Sequence, residues 1–180
     1  MGAIEYYSYS DYIQWEGNWE LIYGYPMMMA PSPIITHQAL ANLIAFELTQ
    51  SIYECEKCLI VSEQDWKVSD DTIVKPDVVM ICNEPNTSYI TKPPKIVVEI
   101  ISKSTARRDE VTKFELYEKE RVSYYIIVYP NDLKAKVYKL ENNKYEKIND
   151  FTNEILNFDD LECGGMIDFE KVFKRFRKRK

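Results

Sequence analysis

Apolar residues fall into short strand-like runs bounded by Gly, Pro, Asn or Asp, and three further segments have the character of helices. This order predicts a mixed α/β chain. The predicted strands are Glu20–Met29 (two short strands joined near Gly24), Leu59–Val68, Thr72–Ile81, Lys95–Ile101, Val122–Tyr129, Lys134–Leu140 and Lys144–Ile148. The predicted helices are Thr36 to about Glu54 with Thr36 as N-cap, Arg107–Glu120, and a short one that follows a loop through Gly165 and ends in a basic tail.

The run Lys95–Ile101 is apolar on both alternating faces, as expected for a central strand covered on both sides. Glu99 interrupts it in the middle. Because burying a charge without a partner costs several kcal/mol or more, a cation is expected beside Glu99.

The helix Arg107–Glu120 places two charged residues within its apolar arc. At about 100° per residue, Asp109 and Lys113 share the arc with Leu116 and Tyr117. Either the amine of Lys113 extends outward past the core edge, or it packs inside a site. Its position within the arc favours the packed site.

Asp77 and Glu99 can face each other if their strands pair as a hairpin. Two converging carboxylates repel unless a cation binds between them, and oxygen ligands suit Mg²⁺ or Mn²⁺. Such an ion activates water and neutralises charge on a scissile phosphate. Solvated or salt-bridged carboxylates are the alternative interpretation of the same pair.

The 180 residues fit a single domain, 1–180, with a net charge of −6. Seven Lys or Arg lie in the basic tail, 171–180, so residues 1–170 hold 16 basic against 29 acidic residues, a charge of −13. An acidic body disfavours non-specific phosphate binding, whereas the tail either contacts nucleic acid or aids solubility. Neither a membrane-spanning run nor a signal-peptide pattern is visible, so a cytoplasmic location is expected.

Four cysteines are too few for a disulfide framework in a chain of this length. Cys55 and Cys58 form one CxxC, with no second CxxC or His pair to complete a zinc site, so free thiols are expected. His37, the only histidine, lies at the start of a predicted helix, where a half-buried structural role and a functional role both remain open.

The segments KPDVVM (75–80) and IVVEIISKSTARRDEVTKFELY (96–117) resemble the signature of the PD-(D/E)XK nuclease superfamily. More closely, they are similar to the bacterial Uma-type family of predicted restriction endonucleases. WELIYGYPMMMAPSPIITHQ (19–38) and VSYYIIVYP (122–130) resemble other blocks of that family. The resemblance covers roughly Glu20 to Phe173.

The resemblance implies a restriction-endonuclease-like α/β core, in which helices flank a mixed central β-sheet. It implies catalytic roles for Asp77, Glu99 and Lys113, with Mg²⁺ (or Mn²⁺) held by Asp77, Glu99 and the main-chain carbonyl of Ile101. The motif's basic residue is expected at Ile101, and Lys113 replaces it from the following helix. Glu20, His37, Gln64, Asp109 and Ser102 are the secondary candidates.

Arg107 and Arg108 are candidates for contact with a nucleic-acid backbone, although exposed arginines near a helix start are commonplace. The hydroxyls of Ser102, Ser104 and Thr105, in the bend before the helix, can hold a phosphate oxygen together with the helix N-terminus. Plain helix capping by Ser104 or Thr105 is the preferred explanation. The leading hypothesis is a metal-dependent endonuclease that acts on DNA, with a homodimer expected because many such enzymes cut both strands. The alternatives are an inactive nucleic-acid-binding or regulatory module, and a structural domain of a larger assembly.

Overall fold

The computed structural model describes residues 5–29, 34–102 and 108–177, which fold around a six-stranded mixed β-sheet. Two antiparallel sheets, of four and two strands, complete the β-structure of these residues. The strands are β1 (Trp19–Ile22), β2 (Tyr25–Met28), β3 (Cys58–Ser62), β4 (Trp66–Ser69), β5 (Thr72–Val74), β6 (Val78–Cys82), β7 (Ile96–Ile100), β8 (Tyr124–Tyr129), β9 (Lys134–Glu141), β10 (Lys144–Phe151), β11 (Ile155–Asn157) and β12 (Met166–Asp168). The helices are α1 (Tyr9–Tyr12), α2 (Ile35–Ser51), α3 (Lys113–Lys119) and α4 (Phe169–Arg177), and a π-helical turn (Arg108–Thr112) directly precedes α3.

Strands β7 and β8 form the centre of the six-stranded sheet, whose order is β10-β9-β8-β7-β6-β3. They pair in parallel, and the chain crosses from one to the other through the π-helical turn and α3. Parallel strands require such a crossover connection. All five residues of β7 are buried, as the sequence predicts for a strand covered on both faces.

The two faces of this sheet bury different layers. Val98 of β7 packs in a core that also contains α2 and α4. Val97 packs on the opposite face, with Leu116 of α3 and Trp66 of the four-stranded sheet. Since successive residues of a strand point to opposite faces, Glu99 points into the α3 layer.

The four-stranded sheet, of order β2-β1-β5-β4, lies over the same face as α3. Ile22 of β1 and Val74 of β5 join the core that contains Leu116. This packing brings β1, which is far from α3 in sequence, over the buried side of the helix.

The single strands predicted at Leu59–Val68 and Thr72–Ile81 are wrong, because each is divided between the two larger sheets. β3 and β6 belong to the six-stranded sheet, whereas β4 and β5 belong to the four-stranded one. The first break includes Glu63, whose φ is 51°. The second includes Pro76, which has no N–H to pair in a ladder. Asp77 therefore lies immediately before β6.

Three other predicted boundaries change. The N-cap of α2 is Ile34, without a side-chain hydrogen bond, so the predicted cap at Thr36 is wrong. β10 continues to Phe151 rather than ending at Ile148. The loop predicted through Gly165 contains β11, whose partner β12 follows it. Strands of three residues show too little alternation to be found from the sequence.

All four cysteines are paired, so the expectation of free thiols is wrong. Cys55 pairs with Cys163, and Cys58 pairs with Cys82. The partners are 108 and 24 residues apart. Connectivity over such separations cannot be deduced from spacing alone.

The basic segment predicted at 171–180 begins inside α4. Val172 and Phe173 are fully buried, while Lys171, Lys174 and Arg175 of the same helix are exposed. Residues 178–180 lie outside the described residues. No helix in the described ranges combines the length and apolarity that crossing a bilayer requires.

Because Phe173 fills the core against α2, we expect Phe173→Ala to lower the free energy of unfolding by about 3–5 kcal/mol. Lys174→Ala, on the exposed face of the same helix, is the matched control and should change it by less than about 0.5 kcal/mol. Urea unfolding followed by circular dichroism measures both. Equal effects would show that α4 is not part of the folded core.

Candidate active site

Asp77 and Glu99 come together at one end of the β6–β7 pair. Val78 lies opposite Val98, and Val79 lies opposite Val97. The same register places Asp77 opposite Glu99, and residues directly opposite in antiparallel strands share a face. Asp77 Oδ2 also accepts the N–H of Ile100 at 2.6 Å. The hairpin expected from the sequence is therefore formed.

Lys113 reaches the same face from α3. Its side chain is 2% exposed, and its Nζ lies 2.8 Å from Glu99 Oε1 and 2.7 Å from Glu20 Oε1. Asp109 Oδ1 lies 3.8 Å from the same Nζ, one turn earlier along the chain. The predicted packing of Lys113 inside a site, rather than outward past the core edge, is confirmed.

Glu20 enters the cluster from β1 and is fully buried. Its Oε1 accepts the backbone N–H of Lys75 at 2.9 Å in addition to its contact with Lys113. Among the described residues its Oε2 has no hydrogen-bond partner, although Arg108 Nε lies 3.6 Å away. Glu20 thus joins the four-stranded sheet to the charged cluster.

Arg108 lies against the cluster rather than on the open surface. Its side chain is 14% exposed, and its Nε is 3.9 Å from Asp109 Oδ1 as well as close to Glu20. It begins the π-helical turn, a rare feature that is often found at functional sites. Contact with nucleic acid stays a prediction for Arg108. Arg107 lies outside the described residues.

Negative charge exceeds positive charge in this cluster. Among residues 5–29, 34–102 and 108–177, the basic members of the cluster besides His37 are Lys113 and Arg108, and they face four buried carboxylates. The carboxylates belong to Glu20, Asp77, Glu99 and Asp109. The formal charge without His37 is therefore −2, which favours uptake of a proton or of a cation.

The pKa values of Glu99 and Lys113 reflect this imbalance. Burial raises the pKa of Glu99, Lys113 lowers it, and the carboxylates of Asp77, Asp109 and Glu20 raise it, so that it lies well above its ordinary value. Burial lowers the pKa of Lys113, but the charges of Glu20, Glu99 and Asp109 raise it by more, so that it lies above its ordinary value. Lys113 therefore stays charged, while Glu99 binds a proton more readily than an ordinary glutamate does.

His37 lies at the start of α2 and pairs with Asp77. Its Nε2 is 3.2 Å from Asp77 Oδ2, and its side chain is 15% exposed. Burial lowers the pKa of His37, but the hydrogen bond and charge of Asp77, together with Glu63, raise it to above its ordinary value. His37 is therefore held against Asp77 at the edge of the cluster.

The remaining predicted residues have different surroundings. Gln64 lies between β3 and β4, where its amide donates to the carbonyl of Ser88 at 2.9 Å. The placement of Gln64 on a strand is therefore wrong. Ile101 and Ser102 are half-buried and follow β7 at the end where the carboxylates lie.

Two tyrosines complete the cluster, and the sequence did not single them out. The Tyr117 hydroxyl donates to Glu99 Oε1 at 2.8 Å, and the Tyr125 hydroxyl donates to the carbonyl of Asp109 at 2.8 Å. Tyr117 lies one turn after Lys113, so the helical arc already placed both on one side. A tyrosine ring at a core position is already explained by hydrophobic packing, so the sequence gives no signal that its hydroxyl contacts the charged cluster.

The residues fit a hard divalent cation on chemical grounds. The acidic side chains offer only oxygen donors, which Mg²⁺ and Mn²⁺ prefer. The cluster has excess negative charge, and Glu20 contributes a buried oxygen that lacks a hydrogen bond among the described residues. A divalent cation would compensate this charge without a proton.

One protein-family model matches residues 8–164 of the chain, and its description is "Uma2: Putative restriction endonuclease". The chain belongs to the Uma2 family. The match to Uma2 covers every described residue of the charged cluster, from Glu20 to Tyr125. The family membership predicted from the sequence is thereby confirmed.

One solved structure supports the fold independently. It is described as a "putative nuclease belonging to DUF820" from Anabaena variabilis. It aligns with a TM-score of 0.73 over 93% of this chain and 97% of that chain, at 13% sequence identity. This similarity confirms the predicted mixed α/β fold. No curated protein matches the chain.

Lys113→Met should lower the free energy of unfolding by about 3–5 kcal/mol at neutral pH, because it leaves Glu20 and Glu99 buried without their ammonium partner. Glu99→Gln keeps an oxygen acceptor for Lys113 and Tyr117 but removes one excess charge. It should leave the stability unchanged or raise it by on the order of 1 kcal/mol. Urea unfolding compares the two variants.

The pH dependence gives a second readout. The pKa of Glu99 is higher in the folded than in the unfolded chain, so its contribution to stability is present below the unfolded value of 4.5. That contribution is lost as the pH rises towards the folded pKa. Stability of Glu99→Gln should therefore fall less than that of the wild type over this range. Parallel curves would contradict the raised pKa.

Proposed function

We propose that the protein is a Mg²⁺- or Mn²⁺-dependent endonuclease that hydrolyses phosphodiester bonds in DNA. The observation that carries the proposal is the contact between Lys113 Nζ and Glu99 Oε1 at 2.8 Å, on the same sheet face as Asp77. Two carboxylates and one lysine are the groups that the resemblance to PD-(D/E)XK nucleases implies. Here the lysine comes from α3 rather than from the strand.

Asp77, Glu99 and the carbonyl of Ile101 would hold the ion. When bound, the ion lowers the pKa of a water molecule and neutralises charge on the scissile phosphate. Asp77 is preorganised for this role by the N–H of Ile100 and by His37. Tyr117 orients Glu99 in the same way. Fixed donors of this kind keep ligand oxygens in place before the ion arrives.

Lys113 supplies the positive charge beside the reacting phosphate. Glu20 and Asp109 hold its ammonium and keep it protonated. A buried ammonium that is already positioned can donate to a phosphate oxygen without reorganising, which is the basis of electrostatic catalysis. Glu20 and Asp109 act as positioning residues in this scheme.

Contact with DNA would come from groups around this face. We assign Arg108 and Ser102 to the phosphate backbone, because they lie near the acidic pair. Arg107 keeps the same role as a candidate from the sequence alone. A homodimer would place two such sites on opposite strands. The charge of −13 on residues 1–170 implies that binding depends on the cation and on salt concentration.

Asp77→Asn should strongly reduce nicking of supercoiled plasmid in Mn²⁺. Mutations of residues that only support metal ligands reduce activity about 10–100-fold, and the loss of a direct ligand should exceed that. The amide keeps the hydrogen bond with Ile100 but loses the charge that attracts the ion. Glu146→Gln, an exposed carboxylate-to-amide change on β10, is the control and should retain full activity. Nicking that survives Asp77→Asn would remove the assignment.

A non-catalytic nucleic-acid-binding or regulatory module is the second candidate. One observation favours it, namely that Lys113 is already engaged by Glu20 and Glu99. Titration calorimetry with Mn²⁺ distinguishes the two. The nuclease hypothesis predicts one binding event that Asp77→Asn and Glu99→Gln each weaken, although both variants remain folded. A wild type without Mn²⁺ binding would leave only the second candidate.

Affinity for Mn²⁺ should increase with pH, because a proton and the ion compete for Glu99, whose pKa is raised. Binding should therefore release a proton, and calorimetry in buffers of different ionisation enthalpy counts it. Glu99→Gln lacks this site and should release fewer protons. Identical proton release in both proteins would contradict competition at Glu99.

A further inference from the structure

The four cysteines converge on one point at the edge of the six-stranded sheet. Cys55 lies in the connection after α2, Cys58 begins β3, Cys82 ends β6, and Cys163 lies shortly before β12. The sulfurs of Cys55, Cys58 and Cys163 all lie within 4.8 Å of one another. Cys82 is not one of these three, but its sulfur adjoins them through its pairing with Cys58. Three stretches of the chain that are distant in sequence therefore contribute the four sulfurs.

Two separate disulfides leave features of this cluster unexplained. Cys58 Sγ lies 2.9 Å from Cys163 Sγ, although each is paired with another cysteine. Non-bonded carbon atoms prefer about 3.5–4.0 Å, and sulfur is larger than carbon. The Cα atoms of Cys58 and Cys82 are 4.0 Å apart. Disulfides usually span about 4.4–6.8 Å between Cα atoms. A single ion bound by all four thiolates would relieve the sulfur contact, because it holds its sulfur ligands about 3.8 Å apart.

We propose that the reduced chain binds one Zn²⁺ ion through the thiolates of Cys55, Cys58, Cys82 and Cys163. Four thiolates in a tetrahedron are a standard structural zinc set, and Cys55-x-x-Cys58 has the spacing of one half of it. With Zn–S bonds of about 2.3 Å, the sulfurs of a tetrahedral site lie about 3.8 Å apart, which the sulfurs of Cys55, Cys58 and Cys163 can satisfy within their 4.8 Å limit. Cys82 would supply the fourth thiolate once its bond to Cys58 is reduced. Soft thiolates select Zn²⁺ over Mg²⁺.

The surroundings suit a structural site that closes around an ion. Lys57 Nζ binds Glu162 Oε1 at 2.6 Å, and Asn83 Nδ2 donates to Glu162 Oε2 at 3.2 Å. These contacts tie together the segments that carry Cys58, Cys82 and Cys163. Cys58 is buried, whereas Cys55 and Cys163 line a surface depression through which an ion can enter.

This site is separate from the acidic cluster. Asp77 and Cys82 flank opposite ends of β6, five residues apart, which corresponds to about 17 Å at about 3.4 Å per residue. A zinc ion there would fasten the connection after α2 and the segment before β12 to the edge of the sheet. It would stabilise the fold without entering the proposed hydrolysis.

The test begins with the full chain, expressed in zinc-supplemented medium and purified with a phosphine reductant and without chelators. Elemental analysis should find one zinc per chain, and a mercurial reagent should release it to a chromogenic chelator. Cys82→Ser should weaken zinc retention at least about tenfold, since losing a direct ligand costs no less than losing an outer-shell partner. Glu162→Gln, next to the cluster but not a ligand, should retain a full equivalent.

Cobalt titration of the reduced wild type keeps the proposal testable if Cys82→Ser does not fold. Four thiolates around Co²⁺ give an intense sulfur-to-metal charge-transfer band and tetrahedral visible bands, which zinc then bleaches. A wild type without zinc or without these bands overturns the proposal. A full equivalent of zinc in folded Cys82→Ser also overturns it. The proposal is also overturned if mass spectrometry of the same preparation, after alkylation of free thiols, shows that both disulfides are still formed.

Discussion

The ion pairs of the Lys113 ammonium are the interaction on which the α3 layer depends. Lys113 is almost completely buried, and the carboxylates that contact it come from β1 and from β7. β1 belongs to the four-stranded sheet and β7 to the six-stranded one. One side chain thus joins two sheets and a helix. Because removing the partner of a buried charge is costly, any shift of either sheet or of α3 that separates Lys113 from these carboxylates is strongly unfavourable.

The proposed chemistry uses the same groups as this junction. Glu99 contacts Lys113 and Tyr117, and it lies opposite Asp77. Burial, together with the carboxylates of Asp77, Asp109 and Glu20, raises its pKa against the opposing charge of Lys113. The described groups of the cluster also carry an excess of negative charge. Sites that bind a cation commonly retain such an excess at the expense of stability. Stability and function therefore depend on the same charge balance.

Asp77, Glu99 and Lys113 could be predicted because each is revealed by the repeat of apolar residues along a single strand or helix, or by the pairing of neighbouring strands. The alternation of β7 identified Glu99, hairpin pairing identified Asp77, and the helical arc identified Lys113. Glu20 gained only a secondary place, because its contact with Lys113 depends on one sheet packing over another. The division of Thr72–Ile81 was missed for a similar reason: alternation reveals a strand, not the sheet that it joins. Cysteine partners are likewise set by tertiary packing.

The stacking of Trp66 on Tyr117 has a practical consequence. The two rings are nearly parallel, with their centroids 5.8 Å apart. The Tyr117 hydroxyl donates a hydrogen bond to Glu99. The Trp66 indole is therefore linked to the buried carboxylate of Glu99 through the ring and hydroxyl of Tyr117. Any event that reorients Glu99 alters the electric field at a fluorophore shielded from water. The chain has two other tryptophans, Trp15 and Trp19, so Trp66 becomes an intrinsic optical probe of the acidic centre once those two are replaced.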